Sequence, residues 1–359
     1  AEYEYSFGYQ NWYESASYET IHARKHVALF ELTPFAKFEL HGKNVHNELQ
    51  NLCANNIKNT PGRTTYTQML NSQGGIEADL TVTCLEENIF RVISGSAVRT
   101  HDKHHILTNI NSNIDFKDIT EEYVCLGVFG PKSRQLLTDV FGNEFKTSTF
   151  PFGTGKYLNL QGVSIWFQRL SYVGELGWEL YIPIQHAKKI YHYLIKAGAS
   201  YDLIHAGAHA MDIMRMEKMY LHWGHDISPA ENPFEAGLGF AARLEKEEDF
   251  IGKQALLKIQ KIPLKKQLVM LTINDSKPGH PLLLHDEPIY CDGKIVGETT
   301  SGNYSFNYKK NMSLGYINIP NSKKEIQHKQ FQIEVAKIKY NATLELNALH
   351  DPKNILIKY

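Results

Sequence analysis

Two acidic residues stand where a strand would not ordinarily place them. In YTQMLNSQGGIEADLTV, residues 66–82, Asp79 follows the Gly74-Gly75 pair and opens an alternating run. In SIWFQRLSYVGELGWELYIP, residues 164–183, Glu179 falls inside a strand-like run just after a loop at 173–177. Carboxylates are depleted from strands, and an unpaired buried one is very costly. Asp79 therefore reads either as a group at a site approached across a flexible bend or as a strand-end aspartate capping a turn. Glu179 reads either as a plain exposed residue or as an inward carboxylate satisfied by two N–H donors side by side on a flat heterocycle. Spacing alone leaves both alternatives open.

The elements that would position these residues can be read from periodicity. Leu80, Val82 and Cys84 fall on one face of the first run, and Asp79, Thr81 and Thr83 on the other. Glu86-Glu87-Asn88 signals a turn, and IFRVISG, residues 89–95, returns as the second strand of a hairpin. In the other stretch Trp178, Leu180 and Ile182 point one way, and Glu179 and Tyr181 the other. Residues 14–27 read as a helix and 44–52 as a short one. Ala36, Phe38 and Leu40 form the apolar face of a half-buried strand, with Lys37 and Glu39 opposite. Residues 185–199 and 205–219 are amphipathic helices. The second carries an apolar stripe of Ala206, Ala210, Ile213 and Met214, which leaves Arg215 and Glu217 near other faces.

From about residue 265 the texture changes to short strands. QLVMLTIN, PIYCDGKIVGETT, MSLGYINI, FQIEVAKI and YNATLEL are separated by turn signals, including the hairpin pair Asp292-Gly293. They predict a separate all-β barrel or sandwich, linked through a segment containing Pro263. The lysine-rich KIPLKK at 261–266 reads as a solvated linker.

A chain of 359 residues is long for one domain, so two or three are expected. It has 42% hydrophobic and 21% charged residues, and Lys+Arg 38 nearly balance Asp+Glu 39. No block of like charge argues for a nucleic-acid partner, and no apolar run reaches the about 18 residues of a membrane span. Cys53, Cys84, Cys125 and Cys291 form no C-x-x-C pair and read as free thiols in a reducing, cytoplasmic setting. The acidic, aromatic amino terminus lacks the pattern of a targeting segment. There is no nucleophilic triad motif, P-loop, zinc motif or dinucleotide fingerprint, GLGF at 237–240 being too short.

Six ordered blocks together carry a resemblance: LTPFAKFEL, NSQGGIEADLTV, SYVGELGWELYIP, the Met-Arg-Met-Glu helix at 214–217, HWGHDISPAENPFEAGLGFAARL and DFIGKQAL. They resemble the aminomethyltransferase (glycine cleavage T-protein) family from about residue 12 onward. HWGHDISP and NPFEAGLGFA bring the chain nearest to the folate-binding half of dimethylglycine and sarcosine dehydrogenases. The resemblance implies an α+β fold, a three-domain clover-leaf of the T-protein type around a central hole, with a C-terminal β-barrel. The implied units are 1–50 with about 145–230, about 51–144 with about 231–262, and 265–359.

By the same resemblance, Asp79 matches the catalytic carboxylate near the reactive end of tetrahydrofolate. Glu179 matches the glutamate that pairs with the pterin ring, and Tyr172, Tyr66 and Tyr220 match aromatic positions lining the cofactor. Asp226, in HWGHD, is placed with them as a residue shaping the hole, although a loop carboxylate capping backbone N–H groups would look the same. Three positions depart from the T-protein pattern. Met211-Asp212 replaces an arginine-aspartate pair that reaches the folate tail, Ala78-Asp79 replaces Asp-Asp, and Thr83 replaces a common tyrosine.

The function implied is tetrahydrofolate-dependent capture of a one-carbon unit from an N-methyl amine, giving 5,10-methylenetetrahydrofolate. Its partners would be a small-molecule substrate and a flavoprotein dehydrogenase domain or subunit, since FGYQNWYE resembles the junction that follows a flavin half. The alternatives are a glycine cleavage aminomethyltransferase acting on a lipoylated carrier protein, a folate-dependent demethylase of a methylated osmolyte, and a folate-binding accessory protein. The accessory branch carries a Lys-Gly-Cys motif where this chain has KMYLHW at 218–223.

Overall fold

The computed structural model describes residues 2–273, 275–318 and 321–359. Helix α1 (Tyr13–Lys25) leads into β1 (Ala28–Glu31) and β2 (Ala36–His41), followed by α2 (Val45–Leu52). Next come β3 (Thr64–Leu70), β4 (Ile76–Glu86), β5 (Ile89–Ser94), α3 (Arg99–Asn109) and β6 (Asp115–Asp118). The chain continues through β7 (Tyr123–Phe129), α4 (Ser133–Phe141), β8 (Gly155–Leu160), β9 (Val163–Gln168) and β10 (Gly177–Pro183). Then follow α5 (Ala187–Gly198), β11 (Ile204–Ala206), α6 (Ala208–Glu217) and α7 (Lys253–Ile259). The last part comprises β12 (Gln267–Ile273), β13 (Pro288–Cys291), β14 (Lys294–Ser305), β15 (Lys310–Ile317), α8 (Lys323–Ile326), β16 (Phe331–Val335) and β17 (Ile338–Glu345). The helices and strands read from periodicity are present within a few residues. Asn274 and Ile319, which end two of the expected strands, lie outside the described residues.

Strand pairing builds three units. One sheet has the order β11-β1-β7-β10-β9-β8, a second β3-β4-β5-β2-β6, and the last six strands close a barrel through β12 and β17. The expected division at about residue 50 is crossed twice. β2 pairs with β5 and β6 in the second sheet, while β7 lies between β1 and β10 in the first. The chain passes between the sheets through the short turns before β2 and before β7, which leave no compositional break to mark a boundary.

Each sheet buries one face under its own helices. Leu126, Val128, Phe167, Trp178, Leu180 and Ile182 of the first sheet pack against Leu136 and Leu137 of α4 and Ile190 and Leu194 of α5. Phe38, Leu40, Leu80, Val82 and Val92 of the second pack against Leu49 of α2 and Ile106 of α3. The remaining faces meet each other. Gln168 Oε1 accepts from Thr83 Oγ1 at 3.3 Å, and the Arg91 guanidinium of β5 lies over the rings of Tyr123, Trp166 and Tyr181.

This second contact face alters the reading of β2. Lys37 does not point to solvent. It is fully buried, and its ammonium donates to the carbonyls of Thr33 at 2.8 Å and Phe35 at 2.9 Å. Glu39 beside it accepts from Arg91 Nη2 at 2.7 Å.

α6 is the hub. Ala210 and Met214 pack on the first sheet, while Ile213 and Met216 join Leu70 and Ile76 of the second sheet and Leu268, Met270 and Leu314 of the barrel. Arg215 and Glu217, off the apolar stripe, fall among these contacts and are buried. Both are paired, as buried charges must be. Glu217 accepts from Arg24 Nη2 at 2.5 Å and from Ser305 Oγ at 2.6 Å, tying α1, α6 and β14 together.

Candidate active site

Asp79 projects from β4 into the gap between the sheets, as its alternation predicts. The bend that precedes it holds Gly74 at φ +87°, and a Cβ on Gly75 would lie 2.0 Å from the Pro229 carbonyl oxygen. The close approach at this bend is therefore made by the chain itself, and Ile76 N–H donates to the Glu231 carbonyl at 2.9 Å. Gln68, the in-register partner on β3, donates from Nε2 to Asp79 Oδ1 at 2.7 Å. The Tyr66 hydroxyl is hydrogen-bonded to the same carboxylate. Burial raises the Asp79 carboxyl from its ordinary 3.8 to about 6, although both hydrogen bonds oppose that rise.

The tyrosines gather round this carboxylate. Tyr66 and Tyr172 interact electrostatically with each other and with Asp79. Tyr172 stacks on Tyr220, with centroids 6.2 Å apart and planes at 21°, and donates its hydroxyl to the Leu221 carbonyl at 2.8 Å. Phe240 stacks on Tyr66 at 6.2 Å while staying exposed. Beyond this pair opens a cavity of about 700 Å³ whose wall includes Tyr66, Phe240, Lys58 and Arg243.

Glu179 lies deeper in the same gap. It sits opposite Gln168 in the β9–β10 ladder. Gln168 in turn touches Thr64 and Thr83, and Thr83 is four residues from Asp79 on one strand face. At about 3.4 Å per residue, that is about 14 Å along β4. The Tyr181 hydroxyl donates to Glu179 Oε2 at 2.7 Å. Burial raises the glutamate's pKa, and the Tyr181 bond only partly offsets it. Oε1 has no protein donor among the described residues.

Asp226 is different in kind. It is fully buried, and Oδ2 accepts from Arg215 Nη1 at 2.5 Å and His222 N–H at 3.0 Å. Oδ1 accepts from Thr300 Oγ1 at 2.6 Å and Ser301 Oγ at 2.8 Å. With about four acceptor positions on a carboxylate, none remains for a ligand. Its work is to fasten the segment after α6 to β14, and so to fix the wall that carries Tyr220. Asp212, next to Met211, accepts from Arg215 Nε at 2.8 Å and Asn303 Nδ2 at 3.0 Å.

The structure thus brings Asp79, Tyr66, Tyr172 and Tyr220 together, sets Glu179 farther along the same gap, and places Asp226 in the supporting frame. Two neighbours were not singled out from sequence, Gln68 and Tyr181. Each lies two residues from a chosen position on the same strand face, so alternation held the signal. The arrangement offers two carboxylates of raised pKa on the facing sides of the two sheets, with stacked tyrosines beside Asp79. The four cysteines are buried free thiols, and among the described residues there is no metal-holding cluster and no helix long and apolar enough to cross a membrane.

Comparison with known proteins agrees with this geometry. The family model for the GCVT N-terminal domain matches residues 1–246, and that for the glycine cleavage T-protein C-terminal barrel domain matches 266–351. The chain is 32% identical to mitochondrial sarcosine dehydrogenase of Homo sapiens, over 99% of this chain and 40% of that protein. It is 35% identical to mitochondrial dimethylglycine dehydrogenase of Homo sapiens, over 88% of this chain and 36% of that one. It therefore spans about two fifths of the length of these dehydrogenases. An aminomethyltransferase of Halothermothrix orenii is 31% identical over 85% of this chain and 84% of its own length. The crystal structure of glycine cleavage system aminomethyltransferase T from Bartonella henselae superposes with a TM-score of 0.84 at 20% identity, covering 98% of this chain and 95% of that one, which shows a shared fold. With both its sheets and its barrel matched, the chain belongs to the glycine cleavage T-protein (aminomethyltransferase) family.

Proposed function

We propose that this chain is a tetrahydrofolate-dependent transferase that captures a one-carbon unit from an N-methyl amine of the dimethylglycine or sarcosine type as 5,10-methylenetetrahydrofolate. The observation that carries the reading is the pair of carboxylates of raised pKa, Asp79 and Glu179, facing one gap lined by Tyr66, Tyr172 and Tyr220.

The residues present fit the cofactor. Glu179 keeps one free carboxylate oxygen, and a fused ring with an amino group beside a ring N–H would use both oxygens at once. Gln68 presents a buried, unpartnered carbonyl oxygen next to Asp79. Bound tetrahydrofolate supplies the nucleophilic nitrogens that take up the one-carbon unit. Asp79, with its pKa raised to about 6, is suited to hold or release a proton at that end and to face developing positive charge as a carboxylate. Tyr66 and Gln68 keep its oxygens aimed into the gap, and Tyr172 and Tyr220 form a stacking wall that excludes water. Asp226 and Arg215 hold that wall against the barrel.

The identity to sarcosine and dimethylglycine dehydrogenases supports the N-methyl amine and a flavoprotein domain or subunit as partner. The identity to an aminomethyltransferase over most of its length supports the second reading, transfer from a lipoylated carrier protein. The test is calorimetric titration with 5-formyltetrahydrofolate of the parent and of Glu179→Gln. Saturable binding, weakened at least tenfold in the variant (about 1.4 kcal/mol), is expected. No binding by the parent would overturn the folate reading.

A further inference from the structure

Gln68 is an unusual residue for its place. It lies in the middle of β3, fully buried, directly across the ladder from Asp79. Cross-strand partners project to the same face, so its amide enters the gap beside the carboxylate. Nε2 donates to Asp79 Oδ1 at 2.7 Å, and Tyr66, two residues earlier on that face, is hydrogen-bonded to both. The amide orientation is forced, because turning Oε1 toward Asp79 would set acceptor against acceptor. Oε1 is thereby left buried with no protein donor. A buried acceptor without a partner is strongly disfavoured, and β4, the strand paired with β3, supplies no donor.

We propose that Gln68 reads the ligand directly: while its NH2 group holds Asp79, its free Oε1 accepts a hydrogen bond from an N–H of the bound reduced folate. This rests on the folate reading above and adds a residue that recognises the amine end of the cofactor. The groups facing Asp79 are Tyr66 and Gln68 from β3, Tyr172 from the loop after β9, and Asp102 from α3. Gln68 Oε1 and Asp102 Oδ2 are left without a donor, and of the two only Gln68 is hydrogen-bonded to Asp79.

The test is calorimetric titration with 5-formyltetrahydrofolate, which retains its N10–H, of the full chain and its variants at pH 5.5 and 8.5. Q68L is expected to bind at least tenfold more weakly at both pH values with an unchanged circular dichroism spectrum. It should also weaken binding severalfold in a D79N background, where no carboxylate remains to be held. Q68E is expected to bind within about threefold of the parent at pH 5.5, since a protonated carboxyl presents the same donor and acceptor as the amide. At pH 8.5 it should lose at least tenfold relative to the parent. Parental affinity in Q68L, no further loss in Q68L/D79N, or an equal loss by Q68E at both pH values would overturn the proposal. If E179Q is weakened while Q68L is not, the folate reading stands and this inference falls; if the parent does not bind, both fall.

Discussion

Replacing Asp79 by asparagine should make the ligand-free protein more stable while harming its chemistry. Burial raises the carboxyl from 3.8 to about 6. Below about pH 3 the group is protonated in both folded and unfolded chains and has no differential effect. As pH rises through 4 to 6 the unfolded chain releases its proton first, so folding is progressively disfavoured. Above pH 7 the full difference applies, and at about 1.4 kcal/mol per pH unit it amounts to about 3 kcal/mol. That is an upper figure, because the half-buried carboxylate keeps part of its hydration. Asparagine is nearly isosteric and still accepts from Gln68, but carries no charge to desolvate. In urea unfolding followed by tryptophan fluorescence, with a slope of about 3 kcal/mol per molar, the midpoint of Asp79→Asn should exceed the parent's by up to about 1 M at pH 8. The gap should roughly halve near pH 5 and nearly vanish at about pH 3. A variant no more stable than the parent at pH 8, or a gap of constant size across the range, would refute the claim that Asp79 is held against its own solvation.

Glu179 titrates in the same direction, so affinity for a reduced folate should fall on acidification, beginning above the ordinary 4.5 of a glutamate; calorimetry from pH 4.5 to 8 measures it, and a flat profile would count against Glu179 as the ring acceptor. Asp226→Ala leaves Arg215 buried without one of its two carboxylate partners and should lose about 3 kcal/mol in urea unfolding, whereas Arg215→Met with Asp226→Leu should lose less than either single change. Gly75→Ala places a Cβ 2.0 Å from the Pro229 carbonyl oxygen, so the β3–β4 bend must part from residues 228–231. A lowered thermal midpoint together with weaker folate binding is expected, and an unchanged midpoint would mean that the bend yields freely.

How much was legible in the sequence follows from what periodicity can encode. Asp79 and Glu179 stood out because carboxylates are depleted from strands and costly to bury unpaired, although each kept to the polar face of its run. The barrel was legible because Asp292-Gly293 and its companions punctuate a succession of short strands. The burial of Lys37, on a polar strand face, and of Arg215 and Glu217, off the apolar stripe of α6, was not legible because periodicity reports only that a face is polar. It cannot tell a face in water from one buried against a second layer that supplies its own polar groups. The sheets do not follow the expected domain bounds, for a related reason. The chain changes sheets over turns of a few residues, and only the register of β2 with β5 and of β7 with β10 reveals it.

The contrast between Asp79 and Asp226 shows why residue type alone could not sort the site. Both are aspartates, both are withdrawn from water, and both lie near Tyr172. Asp226 has four donors, one of them a guanidinium, so its charge is fully answered and it acts as a rivet between α6 and β14. Asp79 has an amide and a phenol, and its proton is held to about pH 6. A carboxylate whose partners satisfy it belongs to the frame, because moving a proton or a ligand there would break bonds already made. A carboxylate left short of donors, beside a glutamine whose own carbonyl is orphaned, stores unfavourable free energy that a ligand with N–H groups can relieve. On that criterion we place the proposed site in the gap between the sheets, with Arg215, Asp226 and Glu217 as the frame around it.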